Sequence, residues 1–135
     1  KIDKNISFIP AICYEIIFFN NLIHKYNNNV SLIINITNDA WFGKFSGPIQ
    51  HFYLSRIRST EFNKYLVRVS NNGISSVINN YGIIVTETSL NKDEQINIEF
   101  NIPTSTDNLI IYHKLIYLLL VFLSIISYSI NKKNG

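Results

Sequence analysis

The one cysteine in the chain, Cys13, stands where the apolar run Phe8-Ile-Pro-Ala-Ile12 gives way to a helical pattern. A thiol at a helix N-terminus feels the positive end of the macrodipole, which favours the thiolate, the form that attacks carbonyl carbon and binds metals. Glu15, two residues on, opposes that ionisation, so nucleophilic chemistry at Cys13 requires a cation from elsewhere in the fold. The competing reading of a lone cysteine is a small apolar core residue. One cysteine excludes an internal disulfide and an all-cysteine metal site. His24, His51 and His113 lack ligand spacing, and no metal or cofactor is expected.

A strand and a helix would have to hold that thiol. Ile6, Phe8, Ile9 and Ile12 read as a buried strand, and Tyr14 to Tyr26 as a helix with Ile16, Phe19, Ile23 and Tyr26 on its apolar face. Leu32 to Ile34 and Ile36 form a second strand, apolar enough to be buried on both faces. The loop from Asn38 to Gly47 leaves from that strand's end, where open α/β sheets gather ligands. Pro48 suits a first helical position with Gly47 as its cap, and Ile49, Phe52, Tyr53 and Ile57 give the next helix, to about Asn63, one apolar face. Tyr65 to Val69 is a strand ended by Asn71-Asn-Gly73; Ile74 to Ile78 and Ile83 to Thr86 read as a hairpin, and Gln95 to Phe100 alternates as a further strand. Twenty-five isoleucines and nineteen asparagines against two alanines inflate strand propensity, so periodicity outranks it here. Strands interleaved with helices and then following one another fit an α/β sandwich, two sheets packed between helices.

Five motifs stand in order: Ile-Cys-Tyr-Glu at 12–15, Asn35-Ile-Thr-Asn-Asp-Ala-Trp-Phe-Gly43, Gly47-Pro-Ile-Gln-His51, Arg56-Ile-Arg-Ser-Thr-Glu61 and Val69-Ser-Asn-Asn-Gly-Ile74. Together, over roughly Ile9 to Val85, they resemble the carbon-nitrogen hydrolase (nitrilase) superfamily and, within it, the apolipoprotein N-acyltransferases. The resemblance implies the α-β-β-α sandwich of that superfamily, with Cys13 as nucleophile carrying an acyl group as a thioester. It implies a phospholipid as acyl donor and a lipoprotein's N-terminal amine as acceptor. By the same resemblance Glu15 borders the site; Trp41 and Phe42, in a glycine-flanked loop beyond a strand end, are expected to wall or lid the acyl position rather than to be plain core or interface aromatics. The family's general-base Glu and oxyanion Lys lie upstream of its cysteine and have no counterpart among the residues before Cys13. A chain that begins at Lys1 and has no methionine is expected to be the C-terminal part of a longer enzyme and inert alone. The other readings are a nitrilase-type amidase and an inactive membrane-anchored remnant.

The remaining polar residues have plainer readings. His51 is expected on a helix surface, because the superfamily uses Glu as its base. Arg56, Arg58 and Glu61 are expected to form a structural ion-pair set, and Asn71, Asn72 and Gly73 a turn bracing the site. Lys25, Lys44 and Lys64 are expected to be solvated.

The end of the chain is of another kind. In the twenty-two residues from Leu109 to Ile130 only His113 and Lys114 can carry charge near neutrality, and a spanning helix needs about 20 apolar residues. Residues 107–135 are therefore expected to be a transmembrane helix and cytoplasmic tail, and 1–106 the hydrolase-like domain. Tyr112, Tyr117 and Tyr128 suit interfacial belts. Lys132 and Lys133 place the tail in the cytoplasm by the positive-inside rule, and the domain on the outer side of a bacterial plasma membrane. The net charge of +3 is concentrated in this tail, with no basic patch interleaved with aromatics, and nucleic acid is not expected as a partner.

Overall fold

The computed structural model describes residues 6–27, 29–43, 45–99, 101 and 109–134, without the side chains of 109–111, 113, 114, 131, 133 and 134. Lys1 to Asn5, Asn28, Lys44, Phe100, the domain boundary at 106 and the side chains of Lys114 and Lys133 lie outside the described residues. The order of elements is β1 (Ser7–Ile12), a 3-10 turn (Cys13–Ile17), α1 (Phe19–Lys25), β2 (Val30–Asn38), a second 3-10 turn (Asp39–Phe42), α2 (Gly47–Glu61), β3 (Tyr65–Asn71), β4 (Ser76–Ile78), β5 (Ile84–Glu87) and α3 (Leu109–Asn134).

The five strands form one sheet in sequence order, with β1, β2 and β3 parallel and β4 and β5 returning antiparallel. Pro10, which has no N–H to give a ladder, sits in β1, an end strand of this sheet. The expected hairpin is present; its turn is closed by Asn79 Oδ1, which accepts from the N–H groups of Tyr81 and Ile83, and by Gly82 at φ +75°.

Alternation along the strands decides what each face carries. Ile9, Ala11, Ile33, Leu66 and Ile78 point to one face and are buried against Ile16, Leu22, Phe52 and Phe62 from the helical side. On the opposite face Phe8, Ile12, Ile36 and Val69 are 44 to 56% exposed. The described residues thus form one α/β pair of layers, not the expected pair of sheets between helices. The sequence pattern showed strands apolar on both sides but not how many layers they make. Residues 95–99 are irregular rather than a strand, and run beside Val67, Val69 and Val77 without a ladder.

Two expected helices change shape. The pattern from Tyr14 to Tyr26 is broken at Phe18 (φ −94°, ψ 95°) into the 3-10 turn and α1, so Cys13 opens a five-residue turn and not a long helix. So short an element has little macrodipole to offer the thiol. In α2 the cap is Ser46, with Pro48 one position further in than expected. Of the predicted inward face only Phe52 is buried: it is joined there by His51, Ser55, Arg58 and Ser59, whereas Ile49, Tyr53 and Ile57 are 39, 53 and 47% exposed. Lys64 is buried, not solvated.

Among the described residues no helix is long and apolar enough to cross a membrane.

Candidate active site

The carboxyl ends of β1, β2 and β3 lie side by side, with Ile12 opposite Ile36 and Asn38 opposite Asn71, and the residues just inside and beyond those ends converge. Cys13 leaves β1 at φ +51°, a left-handed conformation that a non-glycine residue adopts at a cost of about 1 to 3 kcal/mol. The surroundings over-determine it. Asn35 Nδ2 donates to the carbonyls of Ala11 (2.9 Å) and Cys13 (3.3 Å), while Glu15 Oε2 accepts from the Ile12 N–H at 2.9 Å. Arg58 ties the same turn to α2 by donating to the carbonyls of Ile16 (2.9 Å) and Ile17 (3.0 Å). The thiol is partly exposed. It therefore stands at a sharp strand-to-turn junction, held by neighbouring elements rather than by a helix dipole.

Behind it is a buried polar cluster. Thr37 Oγ1 reaches Cys13 Sγ at 3.6 Å and Asp39 Oδ1 at 3.2 Å. Asp39 is fully buried and also accepts from His51 Nδ1 (2.8 Å), Arg68 Nη2 (2.6 Å) and Ser70 Oγ (2.8 Å). Arg68, 1% exposed, additionally donates to Asn35 Oδ1 and to the carbonyl of Ile74. Because an ionised carboxylate only accepts, Nδ1 of His51 must carry its proton, and the 3.3 Å approach of Arg68 to that nitrogen is proximity between two donors. Nε2 of His51 is then left buried with no hydrogen-bond partner in the described structure. The turn at Asn71 to Gly73 closes the cluster: a Cβ on Gly73 would collide with the Asp39 carboxylate and Ser70 Oγ.

Electrostatics follow from this packing. Burial pushes the Asp39 carboxyl up, but the hydrogen bond from His51, the charge of Arg68 and the hydrogen bond from Ser70 outweigh it and hold the group below its ordinary value. Burial lowers the Arg68 pKa, against the opposing charges of Asp39 and Cys13. Arg68 is thus a buried cation paired with Asp39, which in turn meets Thr37 beside the thiol. Glu15 is held below its ordinary value first by the Ile12 N–H and then by Lys25, whose Nζ lies 3.1 Å away and also donates to the Pro10 carbonyl. Lys25 thereby neutralises the carboxylate beside Cys13 instead of being simply solvated.

A pH dependence with a definite sign results. Asp39 and Glu15 have depressed values in the fold, so the stability they add is fully present above the unfolded-chain values of about 3.9 and 4.3, and is lost as pH falls through the lower folded ones. Thermal melts should be level from about pH 7 to pH 5 and drop below about pH 4. A midpoint that holds steady down to about pH 2 would contradict the arrangement.

The predicted residues fall out differently. Phe42 comes together with Tyr14 and His51: the rings of Tyr14 and Phe42 lie 5.3 and 5.2 Å from the imidazole and 5.8 Å from each other. Trp41 is 85% exposed and stands outside that group. His51 is buried, contrary to its expected surface position, because its Nδ1–H has Asp39 to satisfy. Of the ion-pair set, Arg58 and Glu61 pair, but Arg56 donates to the Gly82 carbonyl instead. Asn35, Thr37, Asp39, Arg68 and Ser70 were not singled out by sequence reasoning. The available signal was parity, since Asn35 and Thr37 share a strand face with Ile33, and Arg68 with Leu66, the face that packs on the helices. Among the described residues no group of three or more His, Cys, Asp or Glu could hold a metal ion.

The family described as carbon-nitrogen hydrolase matches residues 6–106. An apolipoprotein N-acyltransferase of Rickettsia bellii is 41% identical over 98% of the chain and 27% of its own length. Those of Rickettsia prowazekii and Brucella suis are 52 and 45% identical, each over 62% of the chain and 16% of their own length. The chain thus spans about a quarter of the first of these relatives.

Proposed function

The chain belongs to the carbon-nitrogen hydrolase family, and from that premise we propose that it is the nucleophile-bearing, C-terminal part of an apolipoprotein N-acyltransferase. The observation that carries the reading is Cys13 at the carboxyl end of β1, its sulfur beside Thr37, whose hydroxyl also reaches the Asp39 carboxylate paired with Arg68. In the whole enzyme the thiol gives its proton to a general-base Glu contributed from outside this chain, and the sulfur attacks an ester carbonyl of a phospholipid. The carbon–sulfur bond forms as the carbon–oxygen bond breaks, and the lysophospholipid leaves with a proton. The N-terminal amine of a lipoprotein then attacks the thioester, forming the amide and returning the thiol. A Lys from outside this chain steadies the oxyanion of both steps. Glu15, Trp41 and Phe42 line the approach of the acyl chain, and no cofactor is used.

The membrane belongs to the same proposal. Residues 1–106 are the hydrolase-like domain and 107–135 a membrane helix with its tail. Every described side chain of α3 from Leu115 to Ile130 is exposed, and an apolar helix exposed all round calls for a lipid or protein cover. With Leu109 to Lys114 added, the helix becomes long enough to span, Lys132 and Lys133 remain in the cytoplasm, and Cys13 faces exported lipoproteins.

Incubating the longer protein containing this chain with phospholipid and a peptide bearing a lipid-modified N-terminal cysteine tests the reading. The expected product is the N-acylated peptide. Hydrolysis of small amides without amine acylation would instead assign a nitrilase-type amidase and overturn the proposal.

A further inference from the structure

Thr37 has one hydroxyl proton and two acceptors within reach, Cys13 Sγ at 3.6 Å and Asp39 Oδ1 at 3.2 Å. We propose that Thr37 is a positioning residue for Cys13 whose hydroxyl turns between the Asp39 carboxylate and the Cys13 sulfur as the thiol loses and regains its proton. This rests on Cys13 being the nucleophile.

Proton counting supports the motion. While Cys13 carries its proton, the S–H can donate to Thr37 Oγ1 and the Thr37 proton goes to Asp39, which is ionised and only accepts. Once the proton has left, the sulfur becomes a charged acceptor, and a hydrogen bond to a charged acceptor is roughly twice as strong as a neutral one. Thr37 can leave Asp39 at little loss, because His51, Arg68 and Ser70 still donate to that carboxylate. The Asp39–Arg68 pair is fully buried, so its charge stays in place while the hydroxyl turns. In the thioester the sulfur is a weak acceptor and the hydroxyl returns to Asp39. Thr37 is itself buried at an inward position of β2, where the hydroxyl has few other partners.

The charged and titratable groups around the sulfur come from every element packed there. Tyr14 and Glu15 lie on its own turn, Lys25 on α1, Asp39 on the turn after β2, His51 on α2 and Arg68 on β3. Thr37→Val removes the hydroxyl while leaving each of these in place, and Cys13 is the chain's one cysteine, so its alkylation is read without background. The rate of alkylation of the full chain by iodoacetamide is followed from about pH 5 to pH 10, with the urea-unfolded chain as reference for an unperturbed thiol near pH 8.5. Thr37→Val is expected to make alkylation near pH 7 about tenfold slower, and Thr37→Ser to restore it within about threefold.

Superimposable profiles for wild type and Thr37→Val would overturn the proposal, as would Thr37→Ser as slow as Thr37→Val. So would a wild-type profile equal to that of the unfolded chain. If Thr37→Val and Thr37→Ala both lose the circular dichroism of the folded chain, the hydroxyl is structural and the positioning role is overturned too. Alkylation needs neither acyl donor nor acceptor, so this result is separable from success or failure of acyl transfer.

Discussion

Arg68→Met is expected to remove most or all of the stability of this fold. The guanidinium is buried among Asp39, Asn35 and the Ile74 carbonyl, and its loss leaves the Asp39 carboxylate buried without its cationic partner. Breaking one side of a buried pair costs about 3 to 5 kcal/mol, against a total of about 5 to 15 for an ordinary domain. The open apolar face of the sheet leaves this chain at the low end of that range. Urea unfolding of wild type, Arg68→Met and a surface control such as Tyr81→Ser should show the first substitution as a collapse of the transition and the second as a shift within about 0.5 kcal/mol. Combining Arg68→Met with Asp39→Asn should cost less than the two separately, since the pair is coupled. An Arg68→Met transition within about 0.5 kcal/mol of wild type would show that the cluster does not hold the site together.

That cluster also marks where sequence reasoning stopped. The strands and the β4–β5 hairpin were legible because alternation and the Asn79 to Gly82 turn are local signals. The position of Cys13 at a strand end was legible because the apolar run before it stops there. Its setting was not. Ile49, Tyr53 and Ile57 made one side of α2 look like the core side, yet the helix turns His51, Ser55, Arg58 and Ser59 inward, because the buried carboxylate of Asp39 and the carbonyls of Ile16 and Ile17 need donors. A helical pattern reports where apolar residues lie, and it has no term for buried charges on strands far away in sequence. The break at Phe18 was hidden for a related reason: Ile16, Phe19 and Ile23 keep helical spacing across it, and all pack on the same core. The strand expected at Gln95 to Phe100 had the right alternation but, over 95–99, no ladder partner in the structure.

Cys13→Ala has the other large expected effect, on chemistry rather than on folding. The side chain is small and partly exposed, so its loss should move the unfolding transition by less than about 1 kcal/mol. Transfer of acyl groups to the peptide amine by the longer protein should nevertheless fall by at least about a thousandfold, since no other thiol in this chain can carry the acyl group. Retained transfer would assign the nucleophile elsewhere.

The most direct measurement is mass spectrometry of the peptide containing Cys13 after the longer protein has been incubated with phospholipid and no acceptor. An acyl chain on that peptide, released by neutral hydroxylamine and absent from Cys13→Ala, is the predicted result. An unmodified Cys13 under conditions where the acceptor amine still becomes acylated would contradict the assignment of the acyl carrier to this residue.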